Sequence, residues 1–484
     1  MTARSPRITR RTGLALLASA PLATLAGPRA VAGYDLPSFP EQDVRLLRPG
    51  DAAYEQYQPI YNKRMEQRPR WRAMCLTPDG VRRLVDVARE SRIPFAIRSG
   101  GHSFEGLSQS DALSIDVRPL NRISFDPATR SLTVGAGVAL GDVYRAAARA
   151  GMCFPAGSCP TVGLAGHIHG GGFGLLSRPL GLASDALLAV DLVDAAGQQR
   201  HVSAETDPDL FWALQGGGGG TFGAATSFTV GLFPSPPMFT LAQSFVLDQP
   251  AASRLVDGWQ RWITSLPEEC ATILTVRSVG NARISVRLAG QYYGENPAVL
   301  SAALANLSGL SGQAIAPQIR GRSFLEAVGR FSGGWNYESK FSKGKSDFVM
   351  SPLPAAGVDT LLRGVTALPP NDIVVIMDAY GGAIRKRRGS ETAFAHREAL
   401  YSIQYYSSWF DASKTGQRVA GLRGVYDAMR PFLPGYSYVN YCDLDLKDWR
   451  RAYWGDNAQR LAQVKAHVDP TNLFHHAQSI TPAI

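Results

Sequence analysis

The segment at residues 155–174, PAGSCPTVGLAGHIHGGGFG, constrains the fold more than any other stretch. Seven of its twenty residues are glycine, and it holds one cysteine and two histidines. Glycine supplies positive φ and lets backbone approach a ligand closely. Runs of such backbone N–H groups form concave anion sites able to hold a pyrophosphate. A second stretch upstream, residues 98–106, reads RSGGHSFEG. Each loop carries one nucleophilic side chain, His102 in the upstream loop and Cys159 in the other. The run GGGFG at 170–174 lacks the strand-then-helix context of the dinucleotide-binding fingerprint, so a Rossmann fold is not expected.

A chain of 484 residues exceeds a single core, and two domains are the prior. The apolar content of 45% and charged content of 19% are those of a globular protein. The formal net charge is +10, but five arginines and no acid lie in residues 1–32, which leaves +5 for the rest. No Lys/Arg cluster is interleaved with aromatics, so no nucleic-acid partner is expected. The five cysteines, Cys75, Cys153, Cys159, Cys270 and Cys442, fit neither a zinc site nor a disulfide framework, so no metal is expected and pairing stays open. Residues 9–14, TRRTGL, precede an apolar run to Ala26 and the small residues AVA at 30–32. This predicts a twin-arginine export signal over 1–32, with an ordinary secretory leader as the alternative. No later segment has ~18 uninterrupted apolar residues, so no spanning helix is expected.

Residues 78–81, PDGV, open a predicted helix with apolar positions at Val81, Leu84, Val85 and Ala88. Strands are predicted before the RSGGHS loop, at 114–118 and at 131–136, with a helix over 140–150. That order implies an α+β unit. A capped helix in DPDLFWALQ (207–215) is predicted to stop before Gly216, whose left-handed backbone closes it. Gly216 opens a run of five glycines, 216–220. Pro234, Pro236 and Pro237 then mark a boundary. Beyond it, strands at 274–279, 282–293, 373–379 and 400–406 alternate with helices at 251–266, 296–308 and 358–366. Such a pattern fits an antiparallel sheet backed by helices.

The tail is dense in motif: YVNYCD at 438–443, YWGDN at 453–457, DPTNLF at 469–474 and QSI at 478–480. With the two glycine-rich loops, it resembles the berberine-bridge-enzyme-like branch of the vanillyl-alcohol-oxidase class of flavoproteins. The likeness runs from about Trp71 to Pro482. It implies an α+β fold with a two-part PCMH-type FAD-binding domain at 41–235. A substrate domain at 236–434 and a C-terminal segment at 435–484, returning to the FAD domain, complete it. It also implies FAD bonded twice, from His102 to the 8α-methyl and from Cys159 to C6. In the first loop Arg98, Ser99, Gly100, Gly101 and Ser103 would contact FAD. In the second loop the implied contacts are Val162, Gly163, Gly166, His167, Gly171, Gly172 and Gly174. Gly220 in the glycine run and Asn440 and Tyr441 in the tail complete the set.

The resemblance also assigns chemistry. Alcohol-oxidising members use a tyrosine of the YxNY motif as base, here Tyr441, with Tyr438 beside it. A phenol of pKa ~10 needs a neighbour to accept its proton or stabilise phenolate. Asp378 and Tyr380, on one face of a strand by alternation, are the expected facing pair. Gln404 stands where the family has a catalytic glutamate or a substrate-binding glutamine; its amide holds a hydroxyl but is no base. Val162 goes, in the family, with fast reaction with O2. Two departures stand out: Phe104, where sugar-oxidising relatives often carry tyrosine, and His169, where serine is common. The expectation is a secreted FAD oxidase of CH–OH groups that yields H2O2. Its substrate would be a small molecule or oligosaccharide, either a sugar C1 or a secondary-metabolite alcohol or hemiacetal. A ring-forming flavoenzyme, a flavin dehydrogenase and a non-catalytic binding protein are the alternatives. Oligomeric state has no signal in the sequence.

Overall fold

The strands build three larger sheets and a two-stranded pairing of Met152–Cys153 with Phe233–Pro234 in this computed structural model, which describes residues 35–332, 334–336 and 338–483. The predicted export segment lies outside the described residues. Every element below belongs to one unit, Leu36–Ile484. The first sheet contains β1 (Val44–Leu47), β2 (Trp71–Cys75), β3 (Phe95–Arg98) and β4 (Leu113–Asp116), ordered β1-β2-β4-β3. The strand β4 runs parallel to β2 and β3, so a crossover must join β2 to β3. Helix Pro78–Ser91 is that crossover. Thr77 caps it, accepting from the Gly80 N–H at 3.1 Å, and Val81, Leu84, Val85 and Ala88 are its buried face, as their spacing predicts.

The second sheet is antiparallel: β5 (Ile123–Asp126), β6 (Ser131–Gly135), β7 (Leu187–Val193), β8 (Gln199–Ser203) and β9 (Ala224–Gly231), ordered β5-β6-β9-β7-β8. The third sheet is antiparallel and seven-stranded. Its members are β10 (Met238–Leu247), β11 (Cys270–Gly280), β12 (Arg283–Tyr293), β13 (Arg320–Arg322), β14 (Phe341–Val349), β15 (Val374–Ala379) and β16 (Tyr401–Trp409). They are ordered β13-β10-β12-β11-β15-β16-β14. On one face Leu274, Val276, Val375, Met377, Ile403 and Tyr405 pack on helices Gln249–Trp262, Ala298–Ser311, Ala355–Thr366 and Thr415–Ala428. The alternate residues, Ile273, Thr275, Ile376, Asp378, Gln404 and Tyr406, line a cavity. One sheet therefore serves as core wall and site wall at once. The fold is α+β, as the sequence predicts.

The tail grips the glycine run. The Trp454 Nε1–H donates to the Gly216 carbonyl at 3.0 Å, and Lys465 Nζ donates to the carbonyls of Thr221 (2.6 Å) and Phe474 (2.7 Å). Gly216 itself takes φ +132°, and a Cβ there would stand 2.2 Å from the Phe394 nitrogen. The run is thus pinned backbone.

The sequence reading passes over β10, β13, β14 and helix Thr415–Ala428. In β14 the segment FSKGKSDFV carries two lysines that look solvent-facing, yet Lys343 and Lys345 are buried. Lys343 Nζ donates to Glu105 (2.5 Å) and Asp443 (2.6 Å), and Lys345 Nζ donates to Asp443 (2.5 Å). Burial pulls the Lys343 pKa down, but Asp443 and Glu105 outweigh it and the pKa is raised. Glu105 lies in the His102 loop and Asp443 just past Tyr441. Lys343→Met is expected to destabilise the protein, by less than the about 3 kcal/mol of an unpaired buried charge, because Glu105 keeps Arg64 at 2.9 Å and Asp443 keeps Lys345 at 2.5 Å. Urea denaturation checks this.

Candidate active site

A cavity of about 760 Å³ opens between the two glycine-rich loops, the glycine run, the tail and the polar face of the seven-stranded sheet. The loops meet backbone to backbone: a Cβ on Gly100 would stand 2.2 Å from the Gly163 nitrogen. Only residues without side chains allow that approach, and it sets His102 and Cys159 on one cavity wall. The His102 ring stacks on Tyr61, centroids 4.6 Å apart. Burial lowers its pKa to about 4, a bond to the Thr161 backbone acting against the shift, so the imidazole is neutral at neutral pH. Cys159 alone among the five cysteines has exposed surface, and it faces the cavity. Surrounding protein still raises its thiol pKa. All five cysteines are unpaired.

Most predicted residues reach the wall: Ser99, Gly100, Gly101, Ser103, Val162, Gly163, Gly166, His167, Gly174, Gly220, Tyr438, Asn440, Tyr441, Asp378 and Gln404. His167 accepts from the Gly157 N–H at 3.0 Å. Asn440 Nδ2 donates to the His167 carbonyl (2.9 Å) and to Tyr438 Oη (2.8 Å).

Four predicted residues sit off the wall. Arg98 turns away and donates to the carbonyls of Gln58 and Pro59. Gly171 and Gly172 pack behind it; a Cβ on Gly171 would stand 2.6 Å from the Phe394 ring, and the Gly172 N–H donates to Tyr438 Oη. Tyr380 lies one residue past the end of β15 and joins an aromatic cluster with Phe173, Phe348 and Tyr438. Alternation therefore does not carry its ring to the site. His169, left without a role in the sequence, bonds through Nδ1 to the Leu214 carbonyl at 3.1 Å.

The wall fits FAD. Around Gly166 no heavy atom lies within 4 Å of a built Cβ, and for Gly218, Gly219 and Gly220 none is closer than 3.4 Å. Bare backbone thus borders open space, the arrangement that admits a flat ring and a diphosphate.

Similarity to known proteins agrees. Residues 70–203 match the FAD binding domain family, and residues 437–481 match the berberine and berberine like family. The FAD-linked oxidoreductase YgaK of Bacillus subtilis (strain 168) is 29% identical over 443 residues, 90% of this chain and 97% of that protein. Berberine bridge enzyme-like 24 of Arabidopsis thaliana is 32% identical over 451 residues, 83% of this chain and 81% of that protein. The chain belongs to the berberine-bridge-enzyme-like FAD-linked oxidoreductases. The solved berberine bridge enzyme of Eschscholzia californica superposes with a TM-score of 0.85 at 27% identity, covering 91% of this chain and 97% of that one.

This berberine-bridge-enzyme-like site holds residues that the sequence reading missed. Tyr406 lies two residues past Gln404 on the same strand face, and its hydroxyl bonds the Tyr61 hydroxyl at 2.8 Å. Period-two spacing could have found Tyr406. Tyr61 comes from a stretch with no periodicity and had no signal. Phe104 stands edge-on to both tyrosines and to Tyr441. Arg287 and Arg330 line the same cavity.

Burial raises the Asp378 pKa from 3.8 to about 7. Between about pH 4 and pH 7 the folded chain holds a proton that the unfolded chain has lost, so this stabilisation is complete at low pH and disappears as pH rises. Asp378→Asn is therefore expected to gain stability relative to the wild type as pH rises from about 4 to about 8. Urea melts across that range check the sign.

Proposed function

We propose that the chain is a secreted FAD oxidase acting on a CH–OH group of a bulky substrate. In this reading FAD is joined covalently to His102 and Cys159, and O2 is the electron acceptor, giving H2O2. One observation carries the reading: His102, Cys159, Tyr441 and Asp378 line one cavity. A neutral imidazole and a cavity-facing thiol are the groups such attachment requires.

FAD, when bound, supplies the hydride acceptor. The substrate hydroxyl must lose its proton as its carbon gives up hydride, and a base must stand within reach. Burial holds the Tyr441 phenol well above its ordinary pKa, and the Asp378 charge adds to the rise. Alone, Tyr441 is a poor base. Asp378, pushed up to about 7, is tuned to take a proton near neutrality. Tyr441 and Asp378 therefore act as a pair: the phenol meets the substrate hydroxyl and the carboxylate receives the proton. Gln404 donates its amide N–H to the substrate oxygen. Phe104, Tyr61 and Tyr406 give ring-shaped substrates an aromatic wall. Sugars and cyclic secondary metabolites both suit it. The arginine pair and apolar run in residues 9–26 support export.

Stopped-flow kinetics test the two half-reactions. Tyr441→Phe and Asp378→Asn are expected to slow flavin reduction by roughly 10²-fold or more. Val162→Leu, on the cavity wall, is expected to slow reoxidation by O2 and leave reduction nearly intact. Equal loss in both half-reactions for Val162→Leu would contradict the assignment of O2. A product with a new ring in place of a carbonyl would replace alcohol oxidation with ring closure.

A further inference from the structure

The seven-stranded sheet carries a row of directly opposed residues across its cavity face. Gln404 on β16 pairs with Ile376 on β15, Ile376 with Thr275 on β11, and Thr275 with Arg287 on β12. All four line the cavity. Arg287 is half-buried. Arg330, at the C-terminal end of helix Phe324–Phe331, lines the same end of the cavity. Arg277, opposite Ser285, shares the strand face of Thr275 one pleat further out.

Among the described residues neither Arg287 nor Arg330 has a carboxylate partner or a hydrogen-bond acceptor, unlike the buried Arg397, which pairs with Asp185 at 2.7 Å. Burial holds the Arg287 pKa below its ordinary value, and Arg330 and Arg277 add to the shift. Cations thus gather where no protein anion answers them. A guanidinium fork in a partly desolvated wall is matched by a planar or tetrahedral oxyanion, and each such charge-assisted contact is strong.

We infer that this end of the cavity is an anion subsite, and that the substrate is an organic acid, a carboxylate or phosphate monoester, whose acid group lies far from the carbon oxidised. The inference rests on the oxidase reading and deepens it by naming the substrate class. Three strand spacings separate Arg287 from Gln404, so the acid group and the reacting hydroxyl stand about 14 Å apart. That span excludes short hydroxy acids and suits a two- or three-ring acid.

The test is equilibrium binding to the flavin-loaded enzyme, read by flavin absorbance changes and calorimetry, so it needs no turnover. The probes are multi-ring hydroxy carboxylates and phosphate monoesters of graded length, each paired with its neutral ester: the methyl ester of the carboxylate, the dimethyl ester of the phosphate. At low salt at least one acid is expected to bind about tenfold more tightly than its ester, a preference that weakens as salt rises. The carboxylate and phosphate arms decide which acid is preferred. In Arg287→Gln/Arg330→Gln the preference should fall to about one, with the flavin spectrum reporting the fold. Equal binding of every acid and its ester to the wild type overturns the inference, whatever the variants do. So does a preference that survives in the double variant. Failure of the oxidase reading would show separately, as absent reoxidation by O2.

Discussion

A buried ion cluster centred on Lys343 holds the site in register. Lys343 bonds to Glu105, three residues beyond His102, and to Asp443, two residues beyond Tyr441. An unpaired charge in that position would be costly, and the cluster shares its charges, Glu105 also pairing with Arg64 and Asp443 with Lys345. The loop bearing the predicted flavin nucleophile and the loop bearing the predicted base are therefore fixed to the same strand of the seven-stranded sheet. Lys345 and Asp445 enlarge the cluster, with Lys345 also bonded to Asp443.

The sheet does the remaining placement. Its strands turn every second side chain onto the helices and the others into the cavity, so burying Met377 and Ile403 aims Asp378 and Gln404. Burial on the cavity face desolvates Asp378 and raises its pKa. The glycine contacts complement the sheet, since Gly100 against Gly163 brings two loops together that side chains would hold apart.

What the sequence disclosed follows from the kind of signal each element carries. Helix Pro78–Ser91 announces itself through a cap, a proline and apolar spacing, all local. Strands β11, β12, β15 and β16 are runs rich in apolar and β-branched residues, and the loops at 98–106 and 155–174 carry their chemistry in plain sight. Strand β14 was hidden because its lysines are neutralised by acids about 240 and 100 residues away, a pairing that no local window contains. Tyr380 was misplaced because alternation was extended one residue beyond the strand's end. Arg98 was assigned to the cofactor by motif; its guanidinium donates to the carbonyls of Gln58 and Pro59, partners no local window contains. Tyr61 and Arg287 reach the cavity through tertiary folding alone.

The central claim is that one cavity presents His102 and Cys159 to the same FAD. Acid-denatured enzyme, digested with trypsin and mapped by mass spectrometry, tests it most directly. The account predicts a single flavopeptide in which the His102 and Cys159 segments are cross-linked through one FAD. Free FAD in the supernatant, with both segments recovered unmodified, would contradict it.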